Sequence, residues 1–147
     1  MPKKIFIFPY NSLILYDMVS RYGHQPLSIM GEVAKRTSGK VMSPPYNVTL
    51  NDSQHGLDSC SEEVPSGVRG RLSYLKPLID EADAAIFISD PDYAFGSSGC
   101  SRTNKFVWHL VVRKDIPILT VPYPRNQNNA REFVDRIVEF LKKLDKG

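Results

Sequence analysis

Three short apolar runs constrain what this chain can fold into more than any other feature. KIFIF at residues 4–8, AAIFIS at 84–89 and IPILTV at 116–121 carry apolar side chains at nearly every consecutive position. A strand of that composition buries both faces, which places it inside a parallel sheet covered by helices above and below. Each run is followed by a helical pattern. After the first, Asn11 or Ser12 can cap a helix over residues 13–22, where Ile14, Met18, Tyr22 and Leu15, Val19 follow helical spacing and Gly23 stands just past the end. After the second, residues 101–113 set Phe106, Val107, Leu110 and Val111 on one side and Trp108 and Val112 on another. After the third, residues 130–144 bury Phe133, Ile137, Phe140, Leu141 and Leu144 and leave Glu139 and Lys143 to pair outside. A further helix opens at Ser66, with Val68, Leu72, Leu75 and Ile79 on one face and Pro77 as a kink or restart.

Strands of this type joined through helices imply right-handed crossovers and a doubly wound α/β fold. The expected architecture is a three-layer sandwich, Rossmann-like or flavodoxin-like, with a mostly parallel sheet of about four or five strands. At 147 residues the chain is expected to form one domain, 1–147. Residues 24–64 are the obscure part: 25–30 reads as a strand, 31–37 as a short helix, and the Pro- and Asn-rich 43–56 as an irregular loop.

Composition excludes several classes of function. Apolar residues at 41% and charged residues at 24% are the balance of a folded globular protein. No run approaches the roughly 20 apolar residues that span a bilayer, and the N-terminal run lacks a small-residue cleavage site, so a cytoplasmic protein without membrane partner is expected. Cys60 and Cys100 form neither a CxxC motif nor a disulfide framework, which suits a reducing compartment and leaves the sequons at Asn47 and Asn51 without meaning. The net charge is +3, and its densest basic cluster, Lys142, Lys143 and Lys146, suits a helix C-terminus better than nucleic acid.

Ligands in doubly wound sheets sit beyond the carboxyl ends of the strands. That rule gathers residues 9–12, 90–102 and 122–126 on one edge. The central segment holds FGSSGCSRTN at residues 95–104, where glycines permit unusual backbone angles and a helix start supplies N–H donors. The pattern is neither GxGxxG nor GxxxxGK[ST], so it reads equally as an anion site or as a turn with Ser101 as an ordinary N-cap. The candidate ligand-binding set is Tyr10, Asn11, Ser12, Asp90, Gly96, Ser97, Ser98, Gly99, Cys100, Ser101, Arg102 and Arg125. Cys100, at a helix N-terminus beside Arg102, is the thiol whose thiolate would be favoured and the candidate for catalysis, against the plainer reading of a small loop residue. Neither His24, His55 nor His109 is assignable as its base, and His109 reads as a core or interface residue. Four metal ligands at tight spacing are absent from the sequence. Arg69 and Arg71 oppose the dipole of the helix that opens at Ser66, so they are either solvated or face an acidic partner or bound anion.

Several segments together carry a family resemblance: KIFIFPYNSLILYDMVSRYGHQPL, SPPYNVT, EVPSGVRGR followed by LIDEADAA, and FGSSGCSRTN. Over nearly its whole length the chain resembles the methanogenesis marker protein 5 family of archaea. The resemblance implies a cytoplasmic protein of methane-metabolising archaea, in a family named for occurring alongside methyl-coenzyme M reductase, and it implies no particular reaction. An accessory or maturation factor for that reductase, binding a partner protein or a small anionic ligand, is the expectation. The apolar helix over 101–113 adds a possible homodimer interface. A looser likeness covers residues 82–93, where ADAAIFISDPDY is similar to the strand and loop over the flavin ring in flavodoxin-like FMN reductases. It implies a flavin, nucleotide or phosphometabolite enzyme as the alternative, although Pro9-Tyr10-Asn11-Ser12 stands where those proteins have a Gly/Ser/Thr-rich phosphate loop.

Overall fold

The computed structural model describes residues 1–10, 12–29, 31–32, 54–58, 60, 63–64, 66–89 and 98–147, with backbone alone at 66–67 and 98–101. Residues 33–37 of the helix expected over 31–37, most of the loop over 43–56, and the candidates Asn11, Asp90, Gly96 and Ser97 lie outside the described residues, while 31–32 are helical.

Four strands form one sheet: β1 (Lys4–Phe8), β2 (Gln25–Leu27), β3 (Ala84–Ser89) and β4 (Ile118–Pro122). Their order is β2-β1-β3-β4, and every neighbouring pair is parallel. The expected mostly parallel α/β sandwich is therefore observed. Its described helices are α1 (Leu13–Arg21), α2 (Ser66–Glu81), α3 (Ser98–Val112) and α4 (Gln127–Lys146), with a short 3-10 turn at Gly56–Asp58.

The side-chain alternation of β1 divides the core in two. Ile5 and Ile7 point into one layer, with Leu15 and Val19 of α1 and Phe133, Ile137 and Leu141 of α4. Phe6 points into the other, with Leu72, Leu75 and Ile79 of α2 and Val107 and Val111 of α3. All three of Ile5, Phe6 and Ile7 are fully buried. This is the two-sided burial that their uninterrupted apolar run requires.

Local chemistry sets the helix ends. Ser12 caps α1 by accepting the Leu15 N–H at 3.3 Å, and the chain leaves that helix through Gly23 at φ 78°, where a side chain would be strained. Asn126 caps α4 in the same way, accepting the Asn129 N–H at 2.9 Å. Pro77 does not restart its helix: α2 runs through it, and Pro77 is on the exposed side, where a freed carbonyl meets water. Helix α3 begins three residues earlier than expected, at Ser98, so Ser101 lies inside the helix and is not its N-cap.

His24 fastens the end of α4 to the start of β1. Its Nδ1 accepts the Lys3 N–H at 3.2 Å, so the ring proton sits on Nε2, which donates to the Leu141 carbonyl at 3.1 Å. Of the other histidines, His55 and His109 are exposed, so the expected core position of His109 is not the observed one. It lies on the face of α3 opposite Val107 and Val111, about half a helical turn away.

Helix α2 rests against the 3-10 turn at Gly56. A Cβ at that position would stand 2.1 Å from the Arg69 carbonyl oxygen and 2.5 Å from its carbon. Both are backbone atoms and cannot swing aside. Gly56→Ala is expected to destabilise the fold by about 2 kcal/mol or more, because the turn must separate from α2. Denaturant unfolding measures this, and an unchanged midpoint would contradict the close approach.

Candidate functional site

The chain steps from β1 outward to β2, then returns across β1 to β3 and continues outward to β4. The direction of winding therefore reverses between β1 and β3. At such a point the connections leaving the two strands diverge to opposite layers and open a crevice beyond their carboxyl ends. The register of Phe8 with Phe87 brings both strands to that crevice at nearly the same height.

Its floor is aromatic. Phe8 stacks on Phe87 with ring centroids 5.3 Å apart and planes 24° from parallel. Tyr10 meets Phe8 edge-on at 5.9 Å, and Trp108 of α3 meets Phe87 edge-on at 4.7 Å. Offset stacking and edge contacts are the arrangements that the ring quadrupoles favour. The strand alternation that sends Phe8 and Phe87 to one face is thus also what lines this corner.

A cation completes it. Helix α2 runs antiparallel to the strands, so its first turns lie at their carboxyl ends, and Arg71 donates from Nη1 to the Tyr10 hydroxyl at 3.1 Å. Arg71 is half-buried and makes further contacts, while among the described residues its Nε is buried and meets no hydrogen-bond acceptor. Arg69 is half-buried as well, its Nε donating to the Val64 carbonyl at 3.0 Å. Neither arginine is simply solvated. The first sign in the sequence was their unfavourable place in an opening helical turn, which set them apart from ordinary surface cations.

The candidate residues divide around this centre. Tyr10 is in the crevice, and Ser12 stands beside it with its hydroxyl oxygen occupied by the α1 cap. Ser98, Gly99, Cys100 and Ser101 form the opening turn of α3, which follows β3. Backbone N–H groups at such a turn have no partner within the helix and favour negative charge. Arg102 is exposed on the same helix. Arg125 belongs elsewhere: with Pro122, Tyr123, Asn129, Glu132, Phe133 and Arg136 it lines an open cavity of about 300 Å³ between the end of β4 and α4. Among the described residues no group of three or more His, Cys, Asp or Glu side chains is disposed to hold a metal ion, and no helix is long and apolar enough to cross a membrane.

These features define a doubly wound α/β protein whose central crevice joins an aromatic floor and a half-buried arginine. The chain belongs to the family described as "Uncharacterized protein conserved in archaea (DUF2112)", whose profile matches residues 3–144. It is similar to a protein of the methanogen Methanocaldococcus jannaschii, Uncharacterized protein MJ0404, at 49% identity over 146 residues that cover 99% of this chain and 97% of the other. No solved structure matches the chain.

The two thiols differ in setting. Cys60 donates to the Gly56 carbonyl at 3.2 Å, and burial pushes its pKa up against an opposing pull from Arg69. Cys100 is the third residue of α3, the position from which the sequence reading expects a favoured thiolate. Alkylation of the folded protein near neutral pH is expected to modify Cys100 before Cys60. The Cys60 rate should still be climbing with pH beyond the usual thiol range near about 8.5 instead of levelling off there. Peptide mapping by mass spectrometry reads the order, and labelling of Cys60 first would contradict it.

Proposed function

We propose that this chain is an accessory or maturation protein of methane-forming archaea that holds a small anionic ligand, phosphate- or carboxylate-bearing, in the crevice between the carboxyl ends of β1 and β3. One observation carries the ligand part: Arg71 reaches across from α2 to Tyr10 at the point where the strand order reverses. A guanidinium is complementary to a planar or tetrahedral oxyanion. The half-buried setting weakens screening by water, so the cation counts for more there than on the surface.

The physiological part rests on the likeness to the methanogenesis marker protein 5 family and on the relative in Methanocaldococcus jannaschii. It assigns the chain to the cytoplasm, in support of methyl-coenzyme M reductase. The Phe8 and Phe87 stack favours a second reading, in which the anion belongs to a ligand with a flat ring, a flavin or nucleotide. Uptake of added FMN, seen as yellow protein after gel filtration, would select that version.

Calorimetric titration with inorganic phosphate tests the crevice. Arg71→Met should weaken binding about tenfold or more while leaving the fold intact by circular dichroism. No binding to the native chain, or equal binding to Arg71→Met, would overturn the assignment. Affinity purification from a methanogen tests the physiological part separately, and recovery of no reductase subunit or methanogenesis factor would count against it.

A further inference from the structure

The two edges of the sheet are built differently. At one edge β2 is three residues long with Pro26 at its centre, which has no N–H to offer a further strand. At the other edge β4 has five residues with its proline, Pro122, at the end and not the centre, and the surrounding stretch IPILTVPY, residues 116–123, contains no charged side chain. Protein edges are ordinarily blunted by charge, by proline or by cover, and an open uncharged edge invites another strand.

The register shows which groups are offered. Pro117 gives its carbonyl to the Ala85 N–H at 3.0 Å, so the alternate residues Leu119 and Val121 also turn their main chain toward β3. Ile118, Thr120 and Pro122 turn theirs outward, and since Pro122 has no N–H the edge is open at Ile118 and Thr120 alone. The Thr120 carbonyl accepts from Arg136 Nη2 at 3.1 Å, which engages one of its two lone pairs. Among the described residues nothing else bonds to the outward groups of Ile118 and Thr120.

Both flanking helices continue this edge. Phe106 and Leu110 of α3 pack into the cluster that contains Leu72, Leu75 and Ile79 of α2. Trp108 and Val112 lie on the opposite flank, which a right-handed β3–α3–β4 crossover sets over β4, and they are 40% and 46% exposed. In the other layer, α4 turns Glu132 and Arg136, one helical turn apart, toward the same edge, where both line the cavity at the end of β4.

We propose that a second copy of this chain occupies the β4 edge, pairing antiparallel about a two-fold axis so that the two four-stranded sheets become one. The symmetry argues for a copy over an unrelated strand. Under that axis Ile118 of one chain faces Thr120 of the other, and their outward N–H and C=O groups satisfy each other. The reversal of α4 sets Glu132 against Arg136 of the second copy, opposite charge against opposite charge on both sides of the axis. The apolar flank carrying Trp108 and Val112 then meets its own equivalent, which removes the exposed apolar area from water.

Sedimentation equilibrium of the full chain over a micromolar series tests this, with the fluorescence of Trp108, the single tryptophan, as a second readout. The native chain should be a dimer at high concentration. Its emission should shift to the red on dilution, and the amides of Ile118 and Thr120 should be protected from hydrogen exchange only in the dimer. Thr120→Pro removes an outward N–H without touching the β3 ladder and should raise the dissociation constant about tenfold or more, as should Val112→Lys. Unchanged circular dichroism in both variants establishes that they fold; should one fail, the exchange pattern of the native dimer decides. A monomer at every concentration, a dimer whose β4 amides exchange freely, or an edge that takes a foreign extended peptide while the chain stays monomeric would each overturn the proposal.

Discussion

Everything in this molecule depends on the pairing of β1 with β3. Ile5, Phe6, Ile7 and Phe8 lie in register with Ala84, Ala85, Ile86 and Phe87, two apolar strands side by side with no polar face between them. Such a pair is stable only when both faces are removed from water, so helices must cover the sheet above and below. The small Ala84 and Ala85 opposite Ile5 and Phe6 leave room for α1 and α4 on one side and α2 and α3 on the other to approach closely. Large residues at both positions would hold the layers apart.

The same pairing makes the crevice. Because the chain travels outward from β1 in one direction and from β3 in the other, the two connections leave the central pair toward opposite layers. Aromatic residues at the ends of both strands fill the gap from below. Arg71 arrives from α2, whose antiparallel run puts its opening turns at the strand ends. The site is thus a consequence of topology, furnished by side chains that alternation and helix direction deliver to one place.

Legibility in the sequence follows how local each determinant is. The cap at Ser12, the exit through Gly23 and the Glu139–Lys143 pair at 2.9 Å are short-range and were readable from spacing. The start of α3 at Ser98 was not, because small residues before an apolar run suit either a turn or an opening helical turn. Whether Pro77 would restart the helix was open for a related reason: its cost depends on whether its helical side is wet, and burial is not local. The resistance of the Cys60 thiol to ionisation is not local either, because its principal cause is burial, with the thiol against the Gly56 turn.

By itself the sequence determined the layer architecture, since runs apolar at consecutive positions call for a sheet buried on both faces, and it pointed to the strand-end corner where the crevice lies. Tertiary structure alone decided which cation serves that corner. Arg71 and Tyr10 are separated by 61 positions and meet only because α2 returns across β1, whereas Arg125, which the loops alone placed in the crevice, is carried by β4 to the cavity beside α4. The physical reason is that strand composition reports burial residue by residue, while strand order reports nothing locally: it is set by how long crossovers pack, and it fixes which distant side chains share a site.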